Sequence, residues 1–192
     1  MAYTTIDDPS KYFNQVLYTG NLLAHPIAGL NHQPDLLWFK NRSTTNNFEV
    51  RDSSRGTDKG GLRLDDDAVE GDSTTRITSF DSDGFTLSTD PSVNGNTNSI
   101  LAWSWAANGG TRTTNTESGN NPGGGYQANT TAGFSIVDYT GTGSAGTMAH
   151  GLGSVPHWII FKSRSEASND WAVYHHRNTA APETDFLRLN TN

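Results

Sequence analysis

The stretch Asp65-Asp66-Asp67-Ala68-Val69-Glu70-Gly71-Asp72 gathers carboxylates in one place, and a hard cation such as calcium takes several carboxylate oxygens from a single loop. Its spacing fits no full motif. Asp81-Ser82-Asp83-Gly84 likewise lacks the third ligand position and the distant glutamate of an EF-hand loop. The reading is a solvated acidic loop, with no metal ligand and no cofactor assigned, and calcium at 65–72 stays an open question. Six histidines include the pair His175-His176, but neighbours on a strand face opposite sides and cannot chelate one ion unaided. No G-x-S-x-G marks a nucleophile on a strained turn. No apolar strand carries the spaced acids that glycoside hydrolysis on a β-sandwich needs. The expectation is a protein without catalytic residues, with a glycan-degrading enzyme on the same fold as the alternative.

Five tryptophans remain, and an exposed indole face stacks on sugar rings. Trp38 and Trp158 lie inside apolar runs and read as core. Trp103, Trp105 and Trp171 are left between core and candidate glycan contact.

What must position these side chains is a repeated strand. Pro34-Asp35-Leu36-Leu37-Trp38-Phe39-Lys40-Asn41-Arg42-Ser43 is answered by Pro156-His157-Trp158-Ile159-Ile160-Phe161-Lys162-Ser163-Arg164-Ser165. The similarity extends outward: Tyr18-Thr19-Gly20 answers Tyr139-Thr140-Gly141, Ala28-Gly29-Leu30 answers His150-Gly151-Leu152, and Gly61-Leu62-Arg63-Leu64 answers Phe186-Leu187-Arg188-Leu189. A Pro, a compact apolar run and Lys-x-Arg-Ser predict a central strand that emerges into a polar loop. Further strands are predicted at 13–19, 48–52, 61–64, 76–80, 85–88 and 99–106, with Trp103 and Trp105 on one face of the last. The second unit stops at Asn192, before counterparts of the last three strands. The expectation is that the natural chain continues or that another chain supplies the missing half.

The 192 residues carry a net charge of -7, no cysteine, only 33% hydrophobic residues and 20 glycines. Acidity without a basic cluster disfavours binding along a nucleic-acid backbone. Absence of cysteine removes thiol chemistry and disulfides, so packing alone must hold the fold. Short apolar runs in a Gly-, Ser- and Thr-rich chain favour an all-β fold. The first residues show neither the basic nor the apolar region of a signal peptide, and no run approaches membrane-spanning length.

Taken in order, Y-T-G, P-D-L-L-W-F-K-N-R-S, D-S-S-R-G, S-F-D-S-D-G-F-T-L, A-W-S-W, T-A-G-F-S-I-V-D-Y-T-G-T-G and H-G-L-G-S-V-P-H-W-I-I-F-K resemble a tandem repeat of virion proteins from marine short-tailed bacteriophages, cyanophages among them. The match runs from about Phe13 to the C-terminus; Ser104 departs from it, standing where members often carry Cys. The resemblance implies an antiparallel β-sandwich of the concanavalin-A-like lectin/glucanase jelly-roll type, used as a tail fibre or tail-associated protein. Capsid decoration or a head fibre is the alternative location.

The domain expectation is a leader or anchoring arm at 1–12, a first sandwich at 13–107, a Gly/Asn/Thr-rich connection at 108–133 and an incomplete second sandwich at 134–192. Tyr3, Ile6 and Tyr12 are the candidate anchor side chains of the arm. Expected partners are other virion proteins, further copies of the chain and host surface glycans, with no nucleic acid and no membrane insertion. Expected localisation is the virion, after assembly in the host cytoplasm.

Overall fold

The computed structural model describes residues 5–71, 75–116 and 118–191. A short 3-10 turn, Pro9–Lys11, precedes the strands β1 (Phe13–Thr19), β2 (His25–Ala28), β3 (Leu36–Asn41), β4 (Glu49–Asp52), β5 (Leu62–Arg63), β6 (Ile77–Asp81) and β7 (Gly84–Leu87). A one-turn helix α1 (Pro91–Asn94) leads to β8 (Ser99–Trp105), β9 (Thr113–Asn115), β10 (Gly124–Asn129) and β11 (Phe134–Tyr139). The chain ends with β12 (Trp158–Phe161), β13 (Ala172–His175) and β14 (Leu187–Arg188). All pairings are antiparallel, in sheets ordered β1-β8-β3-β4-β5, β2-β7-β6, β11-β10-β9 and β12-β13-β14. The fold is therefore antiparallel, β-rich and sandwich-like, built from several small sheets.

The first core lies between the five-stranded sheet and β2-β7-β6. Strand alternation sends Leu37 and Phe39 of β3 and Ile100 and Ala102 of β8 to one face, where they meet Ile27, Ile77, Phe85 and Leu87. Gly84 opens β7 because a Cβ there would stand 1.9 Å from the carbonyl oxygen of Ile27. The acids of that turn are structural. Asp83 accepts the backbone N–H of Gly29 and Asn31, and Asp81 accepts the Thr86 hydroxyl at 2.8 Å.

The repeat holds at the level of single atoms. Lys40 Nζ donates to the Asn46 carbonyl at 2.6 Å, and Lys162 Nζ to the Asn169 carbonyl at 2.9 Å. Leu64 N donates to Phe48 O and Leu189 N to Trp171 O, both at 3.2 Å; Ser53 N donates to Asp35 O and His176 N to His157 O, both at 2.9 Å. Gly29 and Gly151 both take positive φ, 92° and 75°. The copies differ in their company. β8 separates β1 from β3 in the first copy, whereas β11 and β12 share no strand in the second.

One expectation is corrected. The stretch 108–133 does more than connect, since β9 and β10 lie in it and β10 pairs with β11 over six residues. Gln127 of β10 is fully buried and donates to the hydroxyls of Ser53 and Ser54, fixing this sheet to the D-S-S-R-G loop. The second copy also packs directly on the first. Trp171 and Ile160 join Val50, Leu62, Leu36, Trp38 and Leu64 in a second apolar cluster on the outer face of the five-stranded sheet. No helix among the described residues is long and apolar enough to cross a membrane.

Candidate functional site

The carboxylates of Asp65, Asp66 and Glu70 turn to different partners. Asp65 accepts the Phe48 N–H, and Asp66 takes the Ala68 N–H and the Arg63 guanidinium. Glu70 pairs with Arg55 of the first copy and Arg164 of the second, the latter at 2.6 Å, while Lys162 Nζ donates to the Asp67 carbonyl. The loop expected to be solvated thus fastens the second copy's Lys-x-Arg to the first. Asp72 lies outside the described residues. Among the described residues no three His, Asp or Glu side chains are placed to hold a metal ion. His175 and His176 are joined by His157, but as tilted ring pairs, with centroids 4.9 Å and 4.2 Å from that of His176.

Burial makes Glu49 unusual as well. Glu49 is 3% exposed beside Arg76 at 3.2 Å, and its carboxyl sits above the usual glutamate range because desolvation outweighs the nearby guanidinium groups of Arg76, Arg51 and Arg63.

The tryptophans divide differently from expectation. Trp171 is 6% exposed and its indole N–H donates to the Arg63 carbonyl, so it offers no sugar platform. Trp158, expected in the core, is 59% exposed, because Ile160 makes the contact with the first copy and one strand repeat of about 7 Å carries Trp158 past it. Trp38 is half-buried against Trp105, ring centroids 4.8 Å apart. Trp103 and Trp105 share the outer face of β8 as expected, both half-buried, and Trp103 stacks on Phe48 at 6.5 Å.

Trp105 is the centre of the aromatic group. Phe13 lies 5.0 Å from it, and Phe134 of β11 stacks on it at 6.4 Å with 27° between the planes. Ile6, Pro9 and Tyr12 of the leader join Phe13, Trp105, Ala132 and Phe134 around a cavity of about 250 Å³. Two candidate anchors, Ile6 and Tyr12, therefore face a candidate glycan contact of the same chain. Tyr3 lies outside the described residues.

Hydrogen bonds hold the leader there. Ala106 N donates to Tyr12 O, and Asn31 Nδ2 to the Ser10 hydroxyl. His32 Nδ1 stands 2.7 Å from the Ser10 carbonyl and must carry its proton there, since a carbonyl only accepts; Nε2 stands 3.1 Å from Ser104 Oγ. The leader thus belongs to the first sandwich from Ile6 onward.

Sequence reasoning missed Asp35. Its fully buried carboxylate accepts the N–H groups of Ala107, Gly109 and Gly110 and the Ser53 hydroxyl, at 2.6 to 2.9 Å, and so fixes the chain as it leaves β8. One signal was present: His157 replaces it in the otherwise matching second copy.

A larger apolar groove, about 490 Å³, opens on the far side of β12 and β13, lined by Val155, Ile159, Phe161, Ala172, Tyr174 and Phe186. These surfaces can bind by packing and stacking. No curated protein and no solved structure matches the chain. Residues 8–192 match the family model described as a domain of unknown function (DUF7483), and the chain belongs to that family.

Proposed function

We propose that the chain is a non-catalytic structural protein of a bacteriophage particle, a tail fibre or tail-associated component. Its sandwiches are read as concanavalin-A-like jelly rolls that touch other particle subunits and host surface glycans. The order of sequence motifs supports the phage assignment. The observation that carries an assembly role is the open apolar face of the second copy, in a molecule whose first copy buries the same face. The acids of 65–71 and of the turn between β6 and β7 are engaged by arginines, backbone N–H groups and a hydroxyl, which favours a structural role for them. Trp103 and Trp105 remain the candidate glycan contacts.

The test is location. Antibody raised against the chain should label purified particles, and peptides of the chain should appear in their mass spectra. Particles that contain none of the protein would overturn the reading.

A further inference from the structure

The first copy shows what kind of element fits the open face of the second. Strands β12, β13 and β14 reproduce β3, β4 and β5: Phe39 lies opposite Glu49 as Phe161 lies opposite Ala172, and Leu37 opposite Arg51 as Ile159 opposite Tyr174. The outer faces of both sheets are used alike, Trp38 and Val50 of one meeting Ile160 and its neighbours of the other. The inner faces are not. Leu37 and Phe39 are fully buried, and Phe85 of β7 meets Phe39 edge-on with ring centroids 5.4 Å apart. Their counterparts Ile159 and Phe161 line the groove, and Phe161 is 43% exposed. The groove therefore stands where the β6-β7 hairpin sits in the first copy.

Chemistry narrows the occupant. In the first copy the buried pair of Glu49 with Arg76, the residue before β6, crosses this layer; Ala172 replaces Glu49 in the second. The second face is thus more apolar, and its acids, Glu183 and Asp185, lie exposed along the groove. A second copy facing the same groove would bring those acids together in a chain of net charge -7. A basic residue flanking an apolar hairpin would instead complement them.

We propose that this face binds a two-stranded β-hairpin of another polypeptide, one that presents Phe and Leu on a single face and carries a basic residue at its start, in the pattern of Arg76–Ser88. This deepens the assembly reading above, and its test needs no virion, so the two can fail separately. The probe is a head-to-tail cyclised peptide of residues 76–88, its hairpin verified by NMR and then titrated into the full chain. Saturable binding is expected, with slowed amide exchange at 158–161 rather than at 36–41. Phe161→Ser and the rim variant Val155→Asp, each verified as folded by circular dichroism, should weaken it at least tenfold. Glu183→Lys should weaken it too, and a peptide carrying Arg76→Glu should restore binding to that variant. Absence of saturable binding, or equal binding by Phe161→Ser, would overturn the proposal. So would a dimer of the chain that Phe161→Ser disperses and the peptide does not, or a natural protein in which residues following Asn192 already protect 158–161 and leave no site for the peptide.

Discussion

Phe39 and Phe161 stand at the same step of the same strand in two copies, and one neighbour separates them: Phe39 lies under the ring of Phe85 with no exposed surface, while Phe161 keeps 43% of its own. A buried aromatic cut to alanine loses both its transfer free energy and its packing. Phe39→Ala should cost about 3–5 kcal/mol. Phe161→Ala should stay within about 1 kcal/mol, as for a substitution outside a sealed core. Urea unfolding of both variants beside the parent measures the difference, and equal costs would mean that the groove is closed in solution.

Asp35 offers a second test because its carboxylate serves four donors on two loops. Asparagine keeps the shape but turns an amide donor toward N–H groups that need an acceptor. Asp35→Asn should therefore destabilise the chain by about 2–4 kcal/mol, the range for one or two donors left unmet in a buried site. Amide exchange should speed up at Ala107, Gly109 and Gly110 before it does at β3. Unchanged exchange there would show that the loop after β8 is held by something else.

How far the sequence could be read follows from these same residues. Alternation on β8 was legible because one face of it is sealed in the core, so the pattern Ile100, Ala102, Ser104 against Leu101, Trp103, Trp105 had a physical cause, whereas β3 was legible as a compact apolar run. β10 was not legible: Gly-Gly-Tyr-Gln-Ala-Asn is held by pairing to β11 and by a buried glutamine, and neither leaves an apolar rhythm. The fates of Trp171 and Trp158 depend on how one copy lies across the other, which no strand pattern encodes. The leader was equally silent, since His32 takes hold of a backbone carbonyl that every residue has.

Glu49 predicts a pH dependence. Its folded-state carboxyl lies above the ordinary value of 4.5, with burial the leading cause, so folding favours the protonated form. The stability this group contributes is fully present below about 4.5 and is lost as pH rises through the raised folded value. Glu49→Gln removes that titration. Stability measured by urea unfolding should fall less in the variant than in the parent as pH is raised above 4.5. Parallel curves would show that the Arg76 pairing, rather than burial, governs the group.

The packing of one copy on the other decides the roles of Trp171 and Trp158. Trp171 fills the cluster between Val50, Leu62 and Ile160, and its indole N–H donates to the carbonyl of Arg63 at 2.5 Å. Trp171→Ala should cost about 3–5 kcal/mol. Trp171→Phe keeps most of the apolar contact and gives up the hydrogen bond, so it should cost about 1–2 kcal/mol. Trp158, 59% exposed, should tolerate alanine within about 0.5 kcal/mol. Denaturant midpoints give the three values, and a glycan array run on the same proteins gives a second readout. If Trp171→Ala unfolds like the parent but loses glycan binding, the side chain is a sugar platform and the docking of the second copy on the first is not the packing found in solution.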